Sequence, residues 1–215
     1  MIIVIQSWRL PGSTYHTHLN KLINSMDYTK QCKIVIVFSG EKEKQIWNDD
    51  KYTYITMNQN MWEYTSYLAI YSYLNTEFTN DNIFLMLHDT CYVDNSTTFW
   101  KNLTQMVNIM MTNKDIDFIY PSEHTKKNIG LISYNGIEKF YHFLINHQTM
   151  TKADTIKYEH FIPNNMNYKC MPGYKHIGKK IINDKVRRLH FFPYLSLYKH
   201  NSFRGRDNHK GGSYR

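Results

Sequence analysis

Five consecutive apolar residues, Ile83 to Leu87, run directly into His88, Asp89, Thr90 and Cys91 in the stretch IFLMLHDTCYVD. A segment that is apolar at every position has no face to offer water, so it must be covered on both sides. Such a short run suits an inner strand of a sheet with helices on either face. Two earlier runs have the same character, IIVIQSW (2–8) and KIVIVFSG (33–40), both rich in β-branched residues and ended by turn formers. Between them Ser13 or Thr14 can cap a helix in which Tyr15, Leu19, Leu22, Ile23 and Met26 recur every three or four positions. That is one βαβ unit.

The alternation continues. YTYITM (52–57) reads as a third strand. A helix from about Met61 to Leu74 then carries Tyr64, Tyr67, Leu68, Tyr71 and Leu74 on one face. After the strand NIFLML come a helix from Thr98 to Met111 and a short strand in DFIYP (117–121). NIGLISY (128–134) reads as a strand, and NGIEKFYHFLINH (135–147) and KADTIKYEHFI (152–162) as helices. The pattern predicts one α/β domain over 1–200 with a central, mainly parallel sheet flanked by helices, followed by a basic Gly-containing tail over 201–215. Beyond Pro163 aromatics and cations crowd together and no clean period survives.

Composition narrows the class further. At 215 residues and 42% hydrophobic the chain can bury a full core, and its apolar runs are far too short to span a bilayer. MIIVIQSWRLPG has no basic leader and too short an apolar stretch for export. Cys32, Cys91 and Cys170 are odd in number and form no CxxC pair, so neither a disulfide framework nor a zinc ribbon is implied. A cytoplasmic protein without a transmembrane segment is expected. Asn, Lys, Ile and Tyr supply 81 residues while Ala occurs only at 69 and 153, a bias towards A/T-rich codons that bears on origin and not on activity.

The net charge of +8 is concentrated at one end. Residues 175–215 hold eleven Lys and Arg against Asp184 and Asp207, or +9, which leaves about −1 for the rest. That segment should seek phosphates or another anionic surface.

An ionised carboxylate is costly to bury unless it is paired or bound to metal, so Asp89 belongs at the edge of the sheet, facing a cleft. In open α/β sheets ligands bind beyond the carboxyl ends of the strands, where His88 and Asp89 lie. By the same rule the loops after the first two strands offer Gln6, Ser7, Trp8 and Arg9, then Ser39 and Gly40, as ligand contacts, with Trp8 able to stack on a base or sugar.

The order of elements, together with NMWEYTSYLAIYSYL (60–74) and NIFLMLHDTCYVDNSTTFW (82–100), resembles the GT-A fold of nucleotide-sugar glycosyltransferases over about residues 1–120. In overall size the chain is similar to compact glycosyltransferases of large DNA viruses, which would place it in the host cytoplasm. The resemblance implies a transferase that moves a sugar from a nucleoside diphosphate donor, UDP above all, to a glycan or protein acceptor. In that family an apolar strand delivers an acidic DxD motif to a Mn²⁺ or Mg²⁺ ion on the donor diphosphate. Here the matching positions are Asp89, Thr90 and Cys91, so one motif acid is missing. Asp89 would be the ligand, with His88 or His209 completing a manganese site; a metal-free enzyme neutralising the diphosphate with Lys and Arg is the other form. The resemblance also implies a role for Glu63 near the donor, for Lys199, Arg204, Arg206 and Lys210 in closing over the diphosphate, and for Glu159, ahead of Asp154, as the base that takes the acceptor's proton.

Two rivals come from other classes. The +9 segment, with interspersed Tyr and Phe, could bind nucleic acid, although no recognition motif is legible. Alternatively, with one motif acid the chain could be a degenerate transferase that binds and does not catalyse.

Overall fold

The computed structural model of the chain describes residues 1–8, 15–27, 32–59, 61, 64–123, 129–145, 161–173, 175–182 and 185–200. The first apolar run forms β1 (Ile2–Trp8) and is followed by α1 (Tyr15–Ser25) and β2 (Lys33–Ser39). Next come β3 (Gln45–Asn48), β4 (Tyr52–Met57) and α2 (Thr65–Leu74). The apolar run that ends in His88 is β5 (Ile83–His88), buried at all six positions, and β6 (Cys91–Val93) follows it. The chain continues through α3 (Ser96–Thr112), β7 (Phe118–Tyr120), β8 (Gly130–Ser133), α4 (Tyr134–Leu144), α5 (Phe161–Asn165) and β9 (Tyr168–Cys170). It closes with β10 (Lys175–Ile182), β11 (Lys185–Phe192) and β12 (Leu197–His200).

Eight strands form one sheet in the order β3-β4-β2-β1-β5-β8-β7-β9. Its centre, β4-β2-β1-β5, is parallel throughout. The sheet as a whole is mixed, because β3 on β4 and β8 on both β5 and β7 run antiparallel. This is an α/β architecture of the Rossmann-like kind. From β1 the chain steps outward to β2 and β4, then crosses back to lay β5 on the other side of β1. The crevice between the ends of β1 and β5 is therefore a topological switch point.

Alternation along the inner strands divides the core in two. Ile3, Ile5, Ile34, Ile36, Leu85 and Leu87 pack with Leu22 of α1 and Phe99 and Leu103 of α3. Ile2, Val4, Val35, Val37, Phe84 and Met86 pack with Tyr64, Tyr67 and Phe140 on the opposite face. There Phe140 sets its ring edge-on to Tyr67 at 4.7 Å and Tyr64 at 5.3 Å, so the tyrosines of the α2 segment are core. α3 starts two residues earlier than its apolar period suggests, because the side chain of Asn95 accepts the Thr98 N–H at 2.8 Å and caps it.

The second sheet, β10-β11-β12-β6, was not legible in the sequence. It rests on α3 through the turn at Pro193–Leu195, where the Asn102 amide donates to the Tyr194 carbonyl at 2.6 Å and the Tyr194 hydroxyl donates to Gln105 at 3.0 Å. β6 thus belongs to this sheet while β5, two residues upstream, belongs to the first. The turn His88-Asp89-Thr90 is the hinge between the two. No helix among the described residues is long and apolar enough to cross a membrane.

Candidate functional site at the switch between the two sheets

Because β1 and β5 are parallel neighbours, their carboxyl ends arrive together, with Gln6 opposite His88. Ser7 then meets Asp89: its hydroxyl donates to Asp89 Oδ2 at 2.7 Å, and the Asp89 N–H donates to the Gln6 carbonyl at 3.0 Å. Ser7 is buried and Asp89 half-buried, so the carboxylate is fixed from below by the sheet while the residue stays partly exposed. Gln6 and His88 share the α2 and α4 face of the sheet, whereas Ser7 and Asp89 meet on the other, so Asp89 and His88 do not converge from one strand end.

Gln6 is 5% exposed. Its amide nitrogen donates to the carbonyls of Ser7 at 3.0 Å and Val37 at 3.4 Å, while Oε1 receives no donor. At the end of β2 the buried Ser39 hydroxyl is likewise without a partner. Gly40 follows at φ 76°, a left-handed conformation that suits glycine and turns the chain off the sheet. A buried polar atom left unpaired costs about 1–3 kcal/mol, so two at adjacent strand ends mark a place where a ligand could supply the missing partners.

Lys199 reaches the site from the second sheet. β12 pairs with β6 so that Lys199 lies opposite Cys91, and β11 pairs with β12 so that His190 lies opposite Lys199. Lys199 is 8% exposed and has no carboxylate partner among the described residues. Cys91 reports on its surroundings: burial pushes its thiol up to about 11, the Lys199 ammonium pulls it down, and the Asp89 carboxylate pushes it up. The opposite charges of Lys199 and Asp89 therefore both act on one buried sulfur.

Of the residues singled out in the sequence, Gln6, Ser7, Ser39, Gly40, His88, Asp89 and Lys199 are gathered by the fold to the ends of β1, β2 and β5 and the adjoining β12. Trp8 ends β1 opposite Ser39. Arg9, Glu63, Asp154, Glu159, Arg204, Arg206, His209 and Lys210 lie outside the described residues. Buried His190 joins the row of Lys199 and Cys91, and sequence reasoning passed over it. The only signal was its place in LHFF, where an imidazole interrupts apolar neighbours. Among the described residues no group of three His, Cys, Asp or Glu could hold a metal. A divalent ion at Asp89 would take one carboxylate from the protein and its other oxygens from ligand and water, a set that suits Mg²⁺ or Mn²⁺ and not zinc.

No protein-family model matches the chain, and no curated protein matches it either.

Proposed function

We propose that the chain is a nucleotide-sugar-dependent glycosyltransferase of the GT-A type, moving a sugar from a UDP-linked donor to a glycan or protein acceptor. The observation that carries this reading is the carboxylate of the partly exposed Asp89, held by Ser7 across the switch point of a Rossmann-like sheet. Gln6 Oε1 and Ser39 Oγ, both buried and without partners among the described residues, leave unused polar capacity on the α2 and α4 face just behind the strand ends where a nucleoside would lie.

The chemistry asks for positive charge where the diphosphate leaves. As the bond from the sugar carbon to the phosphate oxygen breaks, negative charge grows on the departing diphosphate, and fixed cations help most at that moment. Lys199 is a preorganised ammonium beside the Asp89 turn, already withdrawn from water and not neutralised by a described carboxylate. Mg²⁺ or Mn²⁺ bound by Asp89 would supply further neutralisation of the diphosphate. Ser7 has a positioning role: its hydrogen bond to Oδ2 orients the Asp89 carboxylate at the ends of β1 and β5.

The test is thermal denaturation and calorimetric titration with UDP-glucose, UDP-galactose and UDP-N-acetylglucosamine, with and without Mn²⁺, on the native chain and on Asp89→Ala. The expected result is a donor-dependent rise in stability that Asp89→Ala abolishes, with slow donor hydrolysis in the native chain alone. Neither binding nor hydrolysis with any donor would overturn the proposal; binding without turnover would leave a binding module.

One observation favours the reading of the cationic segment as a nucleic-acid site. Backbone register sets Lys179 opposite Arg188 and Lys180 opposite Arg187. A ladder carrying cationic residue types at adjoining positions is a footprint that a phosphate backbone can use. Salt-sensitive binding to single-stranded RNA or DNA, lost on replacing these four residues by Gln, would support that reading.

A further inference from the structure

Strand β3 is the outer strand of the large sheet and among the described residues pairs only with β4. All ten residues from Lys42 to Lys51 are exposed, including Ile46 at 43% and Trp47 at 38%. An uncovered edge strand carrying a large aromatic is a template for another strand. The geometry of this edge points to a particular occupant, and we infer that it is β3 of a second copy of the chain, paired antiparallel about a two-fold axis through Trp47.

Hydrogen-bond parity restricts the choice of register. In an antiparallel ladder, successive residues turn their N–H and C=O to alternate sides. The Gln45 N–H donates inward to Thr56 Oγ1 at 2.9 Å and the Asp49 N–H donates inward to the Tyr52 carbonyl at 3.0 Å. Odd positions therefore face β4, and the outward groups are those of Ile46 and Asn48. Two copies of β3 can pair only with outward residues opposite each other, so Ile46 meets Ile46, Asn48 meets Asn48, or Ile46 meets Asn48. Within Gln45–Asn48 itself, the last register alone sets both outward residues of each strand opposite outward residues of the other.

Side chains favour that same register. It sets Trp47 opposite the second copy's Trp47 at a pair without hydrogen bonds, the position where cross-strand side chains approach most closely. Trp47 already stacks on Tyr54 at 5.2 Å and Tyr54 lies parallel to Phe38 at 6.4 Å, so pairing would join two aromatic rows into one. Charge agrees as well: two positions beyond Asn48 stands Asp50 and two before Ile46 stands Lys44, and the two-fold puts each Lys44 across from the other copy's Asp50. In the Ile46-to-Ile46 register Lys44 would instead face Asn48. The contact is a short strand pair, smaller than the roughly 1,200–2,000 Å² of stable complexes, so it forms a concentration-dependent dimer and not an obligate one.

The test is sedimentation equilibrium of the full chain from about 1 µM to about 1 mM. A monomer–dimer equilibrium is expected. Trp47→Lys and Asn48→Pro should each weaken it by about tenfold or more, the second because proline removes an outward N–H that β4 does not use. Thermal melts of both variants confirm that they fold. Lys44→Glu should weaken dimerisation roughly fivefold, and adding Asp50→Lys should restore it. A monomer throughout the range overturns the inference, as does a dimer that folded Trp47→Lys or Asn48→Pro leaves intact. Failure of the charge swap to restore the dimer overturns the register. Donor binding is not involved, so the outcome is independent of the proposed activity.

Discussion

The Ser7 hydroxyl donates to a carboxylate oxygen of Asp89 at 2.7 Å, joining residues 82 positions apart. The contact exists because β1 and β5 are parallel neighbours with Gln6 opposite His88, so the next residue of each strand emerges at the same level. Beyond that level β5 leaves the first sheet while β1 continues beside β2 to Trp8, and β6 begins the second sheet. A carboxylate at such a junction is held rigidly from the side of the sheet while its residue stays partly exposed. Catalytic and binding groups require that combination.

Replacing Ser7 by Ala removes the donor and keeps the volume. It should cost about 1 kcal/mol of stability and lower donor turnover by loosening Asp89. Asp89→Asn keeps a hydrogen-bonding group of the same shape, so its melting temperature should stay near that of the native chain while donor turnover disappears. Chemical denaturation and a donor-hydrolysis assay on the two variants check this. An active Asp89→Asn would remove Asp89 from the chemistry.

Lys199 should show a trade of stability for function. A buried ammonium with no carboxylate partner among the described residues is costly, so Lys199→Met, which keeps the length of the side chain, should raise the unfolding free energy by about 1 kcal/mol. The same change should weaken UDP-sugar binding at least tenfold, and Lys199→Arg should recover part of it. If Lys199→Met destabilises the fold, the ammonium has a structural role and the anion-binding assignment fails.

The inner strands were legible because β1, β2 and β5 are apolar on both faces, which neither a helix nor a loop would be. Their ends could be named for the same reason, and Gln6, Ser7, Ser39 and Asp89 were found at strand termini. Direction was not legible: a short apolar run such as Gly130–Ser133 looks the same parallel or antiparallel, and the mixed sheet follows from how β8 returns beside β5. β3 shows no apolar alternation because both its faces are exposed. β10 and β11 were hidden by cations among their apolar residues, and with them the register that brings Lys199 opposite Cys91.

The β7–β8 junction should be the least tolerant of added volume. A Cβ on Gly130 would lie 2.4 Å from the Ile119 carbonyl oxygen and 2.6 Å from the Phe118 ring, and backbone cannot yield as a flexible side chain would. Gly130→Ala should therefore destabilise by about 3 kcal/mol or more, measured by urea unfolding. A loss below about 1 kcal/mol would mean that β7 shifts freely.

Asp117 ties the start of β7 to α4 and β9. Its carboxylate accepts from Lys139 Nζ at 2.7 Å, Asn135 Nδ2 at 3.0 Å and the Asn167 N–H at 3.1 Å, and the residue is fully enclosed. Asp117→Ala leaves these donors without their acceptor and should cost about 2–3 kcal/mol. Lys139→Met removes only a half-exposed partner and should cost about 1 kcal/mol or less. Equal losses in the two variants would show that the ion pair, and not the neutral hydrogen bonds, holds the junction.

Cys91 gives the fold an alkaline limit. Its thiol is fully enclosed, and burial raises its ionisation from 9.0 to about 11 in the folded chain. Between those values the unfolded chain releases the thiol proton and the folded chain keeps it, so the stabilisation is complete below about pH 9 and is lost as pH rises towards 11. Two pH units correspond to about 2–3 kcal/mol. Cys91→Ala should lower stability at pH 7 by roughly the packing of one sulfur, about 1 kcal/mol, and flatten the decline between pH 9 and 11 relative to the native chain. Comparing the two chains at each pH cancels the tyrosines that also titrate there. Parallel curves would show that the thiol ionises as readily inside the fold as outside it, which would require Lys199 to lie closer to the sulfur than the β12–β6 pairing places it.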